Sequence, residues 1–231
     1  MPPNKKQTMS GMSQWWPLFQ LRLQTPGLEL RLPSDGDLDA LASLAASGVH
    51  DPAAQPFAVP WTELPPLERA RSVLQHHWSQ RAAWKPERWT LDFAVVHDGK
   101  VVGTQAMSAR DFAVLREVST GSWLGRDYHG AGTGTEMRAA VLHLAFAGLN
   151  AQYATSGAFA DNPASLGVSR KLGYAADGVD RQVSRGQPAT TMRLRLDRPT
   201  WESTHTVPVA ITGLEPCLPL LGLAGGQRDA G

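Results

Sequence analysis

The chain has little of several features that define whole classes of protein. It has a single cysteine, Cys217, which excludes an internal disulfide and fits a reducing compartment. Charged residues make up only 19% of the 231 residues and the formal net charge is +1, so nothing points to nucleic acid or an anionic membrane as a partner. No apolar run approaches the ~20 residues of a membrane span, and residues 1–13 lack the apolar segment of a signal peptide. These absences predict a soluble cytoplasmic protein.

Hydrophobic residues, at 42%, are sufficient for one well-packed α/β domain. Alternating and helix-periodic stretches predict strands at 28–32, 91–97, 100–107, 113–124, 152–158, 179–185 and 190–196, and helices at 37–46, 66–83, 135–147 and 163–172. In the helix at 66–83, the residues expected to form the buried stripe are Leu67, Ala70, Leu74 and Trp78. The order of elements predicts a mixed, strongly twisted sheet of about six or seven strands, covered by about four helices, with a βαβ unit at its centre.

The most informative segment is Tyr128–Thr135, where three glycines alternate with small residues directly before a predicted helix. No bulky side chain shields the backbone there, so its N–H groups can converge on one anion. The positive end of the following helix adds to the attraction. The segment therefore predicts a site for a phosphate or diphosphate group.

A glycine turn of this kind has three other interpretations. A Walker-type nucleotide loop needs Lys-Ser/Thr after its last glycine, but Gly134 is followed by Thr135-Glu136. A dinucleotide fold needs G-x-G-x-x-G near the start of a βαβ series, whereas this chain has G-x-G-x-G at its middle. A flexible strand-to-helix turn without any ligand is the plainest alternative.

Other kinds of reactive site have weaker support. The chain has no H-x-H, HExxH or C-x-x-C spacing, so no metal is expected, and His76-His77 reads as packed or solvent-exposed. There is no G-x-S-x-G for a hydrolase nucleophile. Cys217 lies in the C-terminal tail, where a covalent intermediate is not expected.

The run His129–Gly134 resembles the acyl-CoA diphosphate loop of GNAT-type N-acyltransferases, whose pattern is Gln/Arg-x-x-Gly-x-Gly/Ala. Trp123-Leu124 ends the preceding strand, as in the branch that contains the ribosomal-protein N-terminal acetyltransferases. Asn162–Ser165 and Lys171–Tyr174 are similar to that branch's N-x-x-S and K-L-G-F/Y segments. The resemblance covers residues 27–198 and departs from the pattern at His129, where Gln or Arg is usual.

The resemblance implies a GNAT fold in which the parallel strands ending at Leu124 and Ala158 diverge in a V to admit the acyl-pantetheine arm. Acetyl-CoA or another acyl-CoA is then the co-substrate, with no metal. The residues expected at CoA are Trp123, Leu124, His129, Gly130, Ala131, Gly132, Thr133, Gly134, Thr135, Asn162 and Ser165. For Asn162, a role as N-cap of the next helix explains the residue equally well.

The resemblance further implies direct acyl transfer to a primary amine, with no acyl-enzyme. Backbone N–H groups near Trp123-Leu124 are expected to hold the thioester carbonyl. The tyrosine with which many family members protonate the departing thiolate falls at Ser169, and in the ribosomal-protein branch a serine at the Ser165 position substitutes for it. Glu117 is expected to act as general base through water, although a salt-bridged strand residue explains it as well.

The acceptor side is the least defined by the sequence. His50, Phe57 and Trp61 lie in a proline-rich loop that builds part of the acceptor pocket in related proteins, although a structural surface loop is an equal alternative. Ser119 shares one face of its strand with Glu117 and adds to this set. A small molecule or a peptide supplies the amine, and neither nucleic acid nor a membrane is expected.

The family resemblance also sets the expected domain limits. Residues 27–199 are assigned to the acyltransferase domain, 1–26 to a partly disordered N-terminal extension and 200–231 to a tail. Acetyl is the expected acyl group, while succinyl-CoA as donor, or CoA binding without turnover, stays open. A homodimer is an open expectation, because many family members are dimers.

Overall fold

Alternating apolar and polar residues build one mixed sheet in this protein. The structure is a computed structural model that describes residues 11–51, 54 and 56–224. Its strands are β1 (Arg22–Gln24), β2 (Glu29–Arg31), β3 (Arg88–His97), β4 (Lys100–Arg110), β5 (Glu117–Leu124), β6 (Tyr153–Phe159), β7 (Ala175–Ser184), β8 (Gln187–Asp197) and β9 (Ala210–Thr212). Their order in the sheet is β7-β8-β6-β5-β4-β3-β2-β1-β9, and only β5 and β6 pair in parallel. The mixed α/β fold class predicted from the sequence is confirmed.

Helices cover both faces of the sheet. They are α1 (Asp35–Ser47), α2 (Pro66–Ala82), α3 (Phe112–Leu115), α4 (Thr133–His143), α5 (Pro163–Lys171) and α6 (Arg198–Thr204). α4 continues directly into a π-helical turn at Leu144–Gly148. α2 and α5 begin where the sequence predicts, because Pro66 and Pro163 occupy first helical positions. α1 and α4 begin two residues earlier than predicted, and Ser34 forms a capping box with Asp37 at the start of α1.

The two faces of the sheet bury separate clusters. On one face α1 and α2 pack around Leu38, Leu41, Val73 and Ala94. On the other face lies the larger cluster, to which α4 contributes its apolar residues together with Phe93 of β3. The sheet therefore separates the two clusters. A ligand that passes between two of its strands can contact the helices on both faces.

The element counts differ from the prediction: the sheet has nine strands rather than six or seven, and six α-helices are present among the described residues rather than four. The strand predicted from position 113 begins only at Glu117. Residues 112–115 instead form the short helix α3, which is bounded by left-handed residues at Asp111 and Arg116. Two residues in the left-handed conformation change the direction of the chain sharply. The alternation of apolar and polar residues does not predict such a backbone conformation.

The buried stripe predicted for α2 is correct only in part. Leu67 and Trp78 are 61% and 53% exposed, whereas Leu74 packs against the α1–α2 cluster, and Val73 and His77 are buried. The buried face thus includes His77, whose Nδ1 lies 3.4 Å from Oδ2 of Asp92, a buried carboxylate on β3. A hydrophobic pattern gives no sign of a polar contact of this kind.

Both terminal segments of the described chain join the sheet. β1 pairs with β2 on one side and with β9 on the other, and Leu18, Leu21 and Leu23 are fully buried. Residues 11–26 and 207–221 therefore share the core of the domain, although the sequence analysis assigns them to an extension and a tail. Residues 1–10 of that extension lie outside the described residues, and no helix in the described part of the chain is long and apolar enough to cross a bilayer.

The capping box of α1 gives a testable acid dependence. Burial alone would raise the pKa of Asp37, but hydrogen bonds from Arg31 and Ser34 outweigh it and lower this pKa to about 2. The folded-state pKa lies below the unfolded value, so the stabilisation is complete above about pH 4 and is lost as the pH falls toward 2. We expect Asp37→Asn to lower the free energy of unfolding at neutral pH by about 2 kcal/mol, and much less at pH 2.

The measurement is urea unfolding of wild type and variant across pH 2 to 7. Asp39→Asn is the matched control, because Asp39 is exposed on the same helix. An equal loss in the two variants, or a loss in Asp37→Asn that does not change with pH, contradicts the assignment.

Candidate active site

The two parallel strands at the centre of the sheet separate part-way along. β5 and β6 pair from Glu117↔Tyr153 to Thr120↔Ser156 and no further. Beyond that row β5 continues along β4 to Leu124, and β6 continues along β8 to Phe159. The result is the V-shaped gap that the sequence analysis predicts.

Main-chain amides of β5 line this gap. The N–H of Gly125 donates to the carbonyl oxygen of Val102 in β4. This hydrogen bond identifies which residues of β5 direct their N–H groups toward β4. By the alternation of an antiparallel pair, Trp123 directs its N–H toward β4, whereas Ser122 and Leu124 direct theirs into the gap. The gap therefore presents hydrogen-bond donors from one edge.

The turn between β5 and α4 holds a row of N–H groups without partners. The N–H groups of Gly130, Ala131, Gly132, Thr133 and Gly134 donate to no acceptor among the described residues. Gly130 and Gly132 have φ of +79° and +89°, a left-handed conformation that glycine adopts at no steric cost. Nothing lies within 4 Å of a Cβ built on either glycine, so the space above the turn is open. This is the geometry of an anion site at a helix N-terminus.

Side chains on both sides hold the turn in place. The His129 ring donates from Nε2 to the carbonyl oxygen of Leu124 at 3.1 Å. On α4, the Glu136 carboxylate accepts from the Thr25 hydroxyl at 2.6 Å and from the Gly27 N–H at 2.8 Å. His129 thus makes a hydrogen bond within the turn, from the position at which the family pattern has Gln or Arg.

Asn162 and Ser165 lie at the start of α5, on the far side of the gap. Asn162 Oδ1 accepts from the Ser165 N–H at 3.0 Å, so Asn162 is the N-cap of the helix. Ser165 is half-buried, and its hydroxyl makes no hydrogen bond among the described residues. The Ser165 hydroxyl is therefore available to a ligand in the gap.

A buried arginine that the sequence analysis does not single out lies beneath the gap. Arg138 of α4 is 4% exposed, and its guanidinium donates to the hydroxyls of Ser169, at 2.9 Å, and Ser122, at 3.4 Å. No carboxylate pairs with it among the described residues, and its Nε has no partner there. The buried Tyr174 phenol, bound to Thr120 at 3.2 Å, is the titratable group facing it. One sequence signal was present: a charged residue interrupts the apolar stretch of α4.

On the opposite face of the sheet, an aromatic cluster leads from the α1–α2 loop to β5. Ring centroids are separated by 5.7 Å for His50–Phe57, 5.3 Å for Phe57–Trp61 and 5.5 Å for Trp61–Trp123. The structure thus brings three predicted acceptor residues together with Trp123. The Trp123 indole lies on the α1–α2 face, away from α4, so its side chain is not beside the glycine turn.

Below this cluster is a cavity of about 520 Å³ between α2 and the sheet. Its floor is a row of hydroxyl side chains from neighbouring strands, and this row ends one residue pair before the last paired residues of β5 and β6. The row consists of Thr90, Ser108, Ser119 and Thr155. The cavity therefore adjoins the closed end of the V, from the face opposite α4.

Glu117 lines the same cavity and is engaged in an ion pair. Its Oε2 lies 2.9 Å from Arg195 Nη2, and Arg195 also lies 3.5 Å from Asp177 Oδ2. Both alternatives considered for Glu117 are thus visible: it faces the cavity, and it is salt-bridged. It lies one row nearer the strand start than Ser119.

A second group near the cavity was not predicted. Asp92 Oδ2 lies 3.0 Å from His76 Nε2 and 3.4 Å from His77 Nδ1, and Asp92 Oδ1 is buried without a partner among the described residues. The hydrogen bond to Asp92 raises the pKa of His76, while burial lowers the pKa of His77. Asp92 faces Gly121 across Ala106, so this group flanks the first row of the gap.

Metal and thiol chemistry find no further support. Among the described residues, no group of three or more His, Cys, Asp or Glu side chains is placed to hold a metal ion. Cys217 is buried, and burial raises the pKa of its thiol to about 12. A thiol in that state is a poor nucleophile.

Comparison with known proteins matches this geometry to one family. A family model described as an acetyltransferase (GNAT) domain matches residues 27–175. Similar solved structures include Mycobacterium smegmatis RimJ in complex with a CoA disulfide, at 19% identity and TM-score 0.65, covering 79% of this chain and 90% of that chain. The ribosomal L7/L12 α-N-protein acetyltransferase RimL in complex with coenzyme A matches at 17% and 0.59, covering 75% and 95%. A GCN5-related N-acetyltransferase from Brucella melitensis matches at 20% and 0.62, covering 80% and 81%.

The fold and the site together define an acyl-CoA-dependent N-acyltransferase. The chain belongs to the GNAT family of acetyltransferases, because the family model matches well over half of it. The resemblance drawn from the glycine turn and the α5 motifs is thereby confirmed. With RimJ and RimL the likeness at these identities is one of fold.

Proposed function

We propose that this enzyme transfers an acetyl group from acetyl-CoA directly to a primary amine of a peptide, protein or small molecule. The observation that carries the proposal is that two features adjoin the same β5–β6 gap. The amides of 130–134, which have no acceptor among the described residues, adjoin its open end, and a cavity on the opposite face adjoins its closed end. A donor lying in the gap and an acceptor entering from the cavity can thus approach each other from opposite faces of the sheet.

The donor side follows from main-chain geometry. The amides of 130–134 would bind the diphosphate of CoA, and Asn162 and Ser165 would contact the pantetheine arm in the gap. The N–H of Leu124 would donate to the thioester carbonyl oxygen and stabilise the oxyanion as the amine attacks. These donors are fixed by the fold before the ligand arrives, so little reorganisation opposes binding.

The acceptor side is the cavity beside α2. Ser119 on its floor would orient the amine, and the cluster of His50, Phe57 and Trp61 would cover the approach from the α1–α2 loop. Glu117 would take the amine proton through a water molecule, and the Ser165 hydroxyl would donate to the departing thiolate. RimL, whose name gives a protein α-amine as its acceptor, favours a peptide or protein amine among the candidates.

The test is mass spectrometry of purified enzyme with acetyl-, succinyl- and longer acyl-CoAs, offered to peptides and to a metabolite extract. Acetylation of an amine, with release of free CoA, is the expected result. CoA binding without transfer from any donor would replace this function by a non-catalytic role, and transfer from succinyl-CoA alone would change the donor. Affinity for ATP or NAD and none for CoA would overturn the proposal.

A cytoplasmic location and a homodimer stay predictions.

The role of Glu117 separates cleanly from its ion pair. Glu117→Gln removes the base and the ion pair, whereas Arg195→Gln breaks the ion pair and leaves the carboxylate. We expect kcat to fall by about 10²-fold in Glu117→Gln and far less in Arg195→Gln, with unchanged affinity for acetyl-CoA in both. Steady-state kinetics measures kcat of the two variants, and titration calorimetry measures their affinity for acetyl-CoA. Equal losses in the two variants would assign Glu117 a structural role and direct attention to His76.

A further inference from the structure

The cation beneath the gap has no counterion among the described residues. Arg138 is 4% exposed, and a guanidinium keeps its charge at any pH at which the protein is folded. Its partners are two neutral hydroxyls, Ser169 and Ser122, and its Nε has none among the described residues. Burying a charge without an opposite charge is costly, so such a group is expected where a ligand supplies the anion.

The position of Arg138 indicates which part of the ligand that is. Ser122 is the first gap-lining residue beyond the last paired row, Thr120↔Ser156. Ser169, on α5, marks the position at which many family members carry the acid for the departing thiolate. Arg138 bridges these two residues across the closed end of the gap. The diphosphate turn lies at the opposite, open end, so it is not the group that Arg138 meets.

We propose that Arg138 stabilises the thiolate of CoA electrostatically as it departs, in addition to the hydrogen bond that the Ser165 hydroxyl would donate. This inference rests on the proposed function of the same site. The amine nitrogen attacks the thioester carbon, the carbon–sulfur bond breaks, and its electron pair leaves on sulfur. The guanidinium keeps all its protons and forms an ion pair with that thiolate, while the proton of the new amide nitrogen passes to the base or to water.

Ion pairing makes a prediction that a purely structural arginine does not. An opposite charge within about 4–6 Å lowers the pKa of an acid by about 1–3 units. The thiol of bound CoA should therefore ionise about 1–3 pH units below the thiol of free CoA. Arg138→Met should abolish this shift and lower kcat by about 10²–10³-fold. It should leave the affinity for desulfo-CoA, which lacks the sulfur, within about threefold of wild type.

The experiment is a pH titration of the ultraviolet thiolate absorbance of CoA bound to wild type, Arg138→Met and Arg138→Lys, with calorimetry of desulfo-CoA in parallel. Arg138→Lys retains the charge and should keep part of the shift, which covers the case in which the methionine variant does not fold. Tyr174→Phe removes the Tyr174 phenol, which faces Arg138, and the shift should survive this substitution.

The possible results distinguish the role of Arg138 from the proposed acyltransferase function. If wild type binds CoA and its thiol ionises as in free CoA, or ionises alike in all variants, the role of Arg138 is wrong and the acyltransferase function stands. Loss of the shift in Tyr174→Phe would assign it to the phenol instead. If Arg138→Met impairs succinyl transfer alone and leaves the thiol titration unchanged, the cation serves a donor carboxylate and the proposal falls. If wild type binds no CoA, the proposed function and this inference fail together.

Discussion

Gly132→Glu should weaken acetyl-CoA binding by at least about 10²-fold. The substitution acts on the glycine turn in two ways. A non-glycine residue at φ +89° costs about 1–2 kcal/mol, which favours rearrangement of the turn. A carboxylate beside five unpaired N–H groups also competes with the diphosphate, and it repels that anion at the positive end of α4. Titration calorimetry with acetyl-CoA measures the loss.

The matched control for this variant is Gly99→Glu in the β3–β4 turn. Gly99 has φ +73° and, like Gly132, has nothing within 4 Å of a built Cβ, so its strain and added charge are comparable. It lies in the β3–β4 hairpin, at the same end of the sheet but outside the glycine turn and α4. We expect both variants to lose similar stability and only Gly132→Glu to lose affinity. Wild-type affinity in Gly132→Glu would remove the turn from the CoA site.

Ser119→Trp should abolish acceptor use while leaving CoA binding intact. Ser119 is exposed on the cavity floor, so an indole fits the sheet surface and fills much of the 520 Å³. An acceptor amine would then be held away from the thioester carbon, and misplacement by even 1 Å costs about 10²-fold. We expect kcat/KM for the acceptor to fall by about 10²-fold or more. The affinity for acetyl-CoA should stay within about threefold, because the proposed CoA site uses main-chain groups of β5 and the opposite face of the sheet.

Thr212→Trp controls for the added aromatic residue. Thr212 is an exposed strand residue on β9, at the edge of the sheet remote from the cavity. Its kinetics should match wild type. If Ser119→Trp retains full activity toward every acceptor that wild type uses, the cavity beside α2 is not the acceptor site.

The parts of the site that are local in sequence could be predicted from it. Pro163 and Asn162 define the start of α5 by helix chemistry alone, Asp98-Gly99 defines a hairpin, and the glycine run defines an anion turn whose conformation depends on few distant residues. The divergence of β5 and β6 also follows, because it accompanies the βαβ unit of the recognised family. Signals of this kind are carried by backbone preference and spacing.

The remainder depends on pairs of residues far apart in sequence. β1 and β9 pair over nearly 190 residues, and nothing local in the sequence indicates that pairing. The buried face of α2 includes His77, which with His76 contacts Asp92 of β3, and a hydrophobic pattern gives no sign of these polar contacts. Arg138 appears in the sequence as one charge within an apolar helix, and its lack of a counterion is visible only in three dimensions.

Titration calorimetry with two thioesters tests most directly whether the glycine turn binds the diphosphate of CoA. S-acetyl-pantetheine carries the acyl group and the arm that enters the gap, but it lacks the diphosphate. We predict that the wild-type enzyme binds acetyl-CoA at least about 10²-fold more tightly than S-acetyl-pantetheine, and that Gly132→Glu loses most of this difference. Equal affinity of the wild-type enzyme for the two thioesters, or no affinity for either, would contradict the claim that the amides of the glycine turn hold the diphosphate.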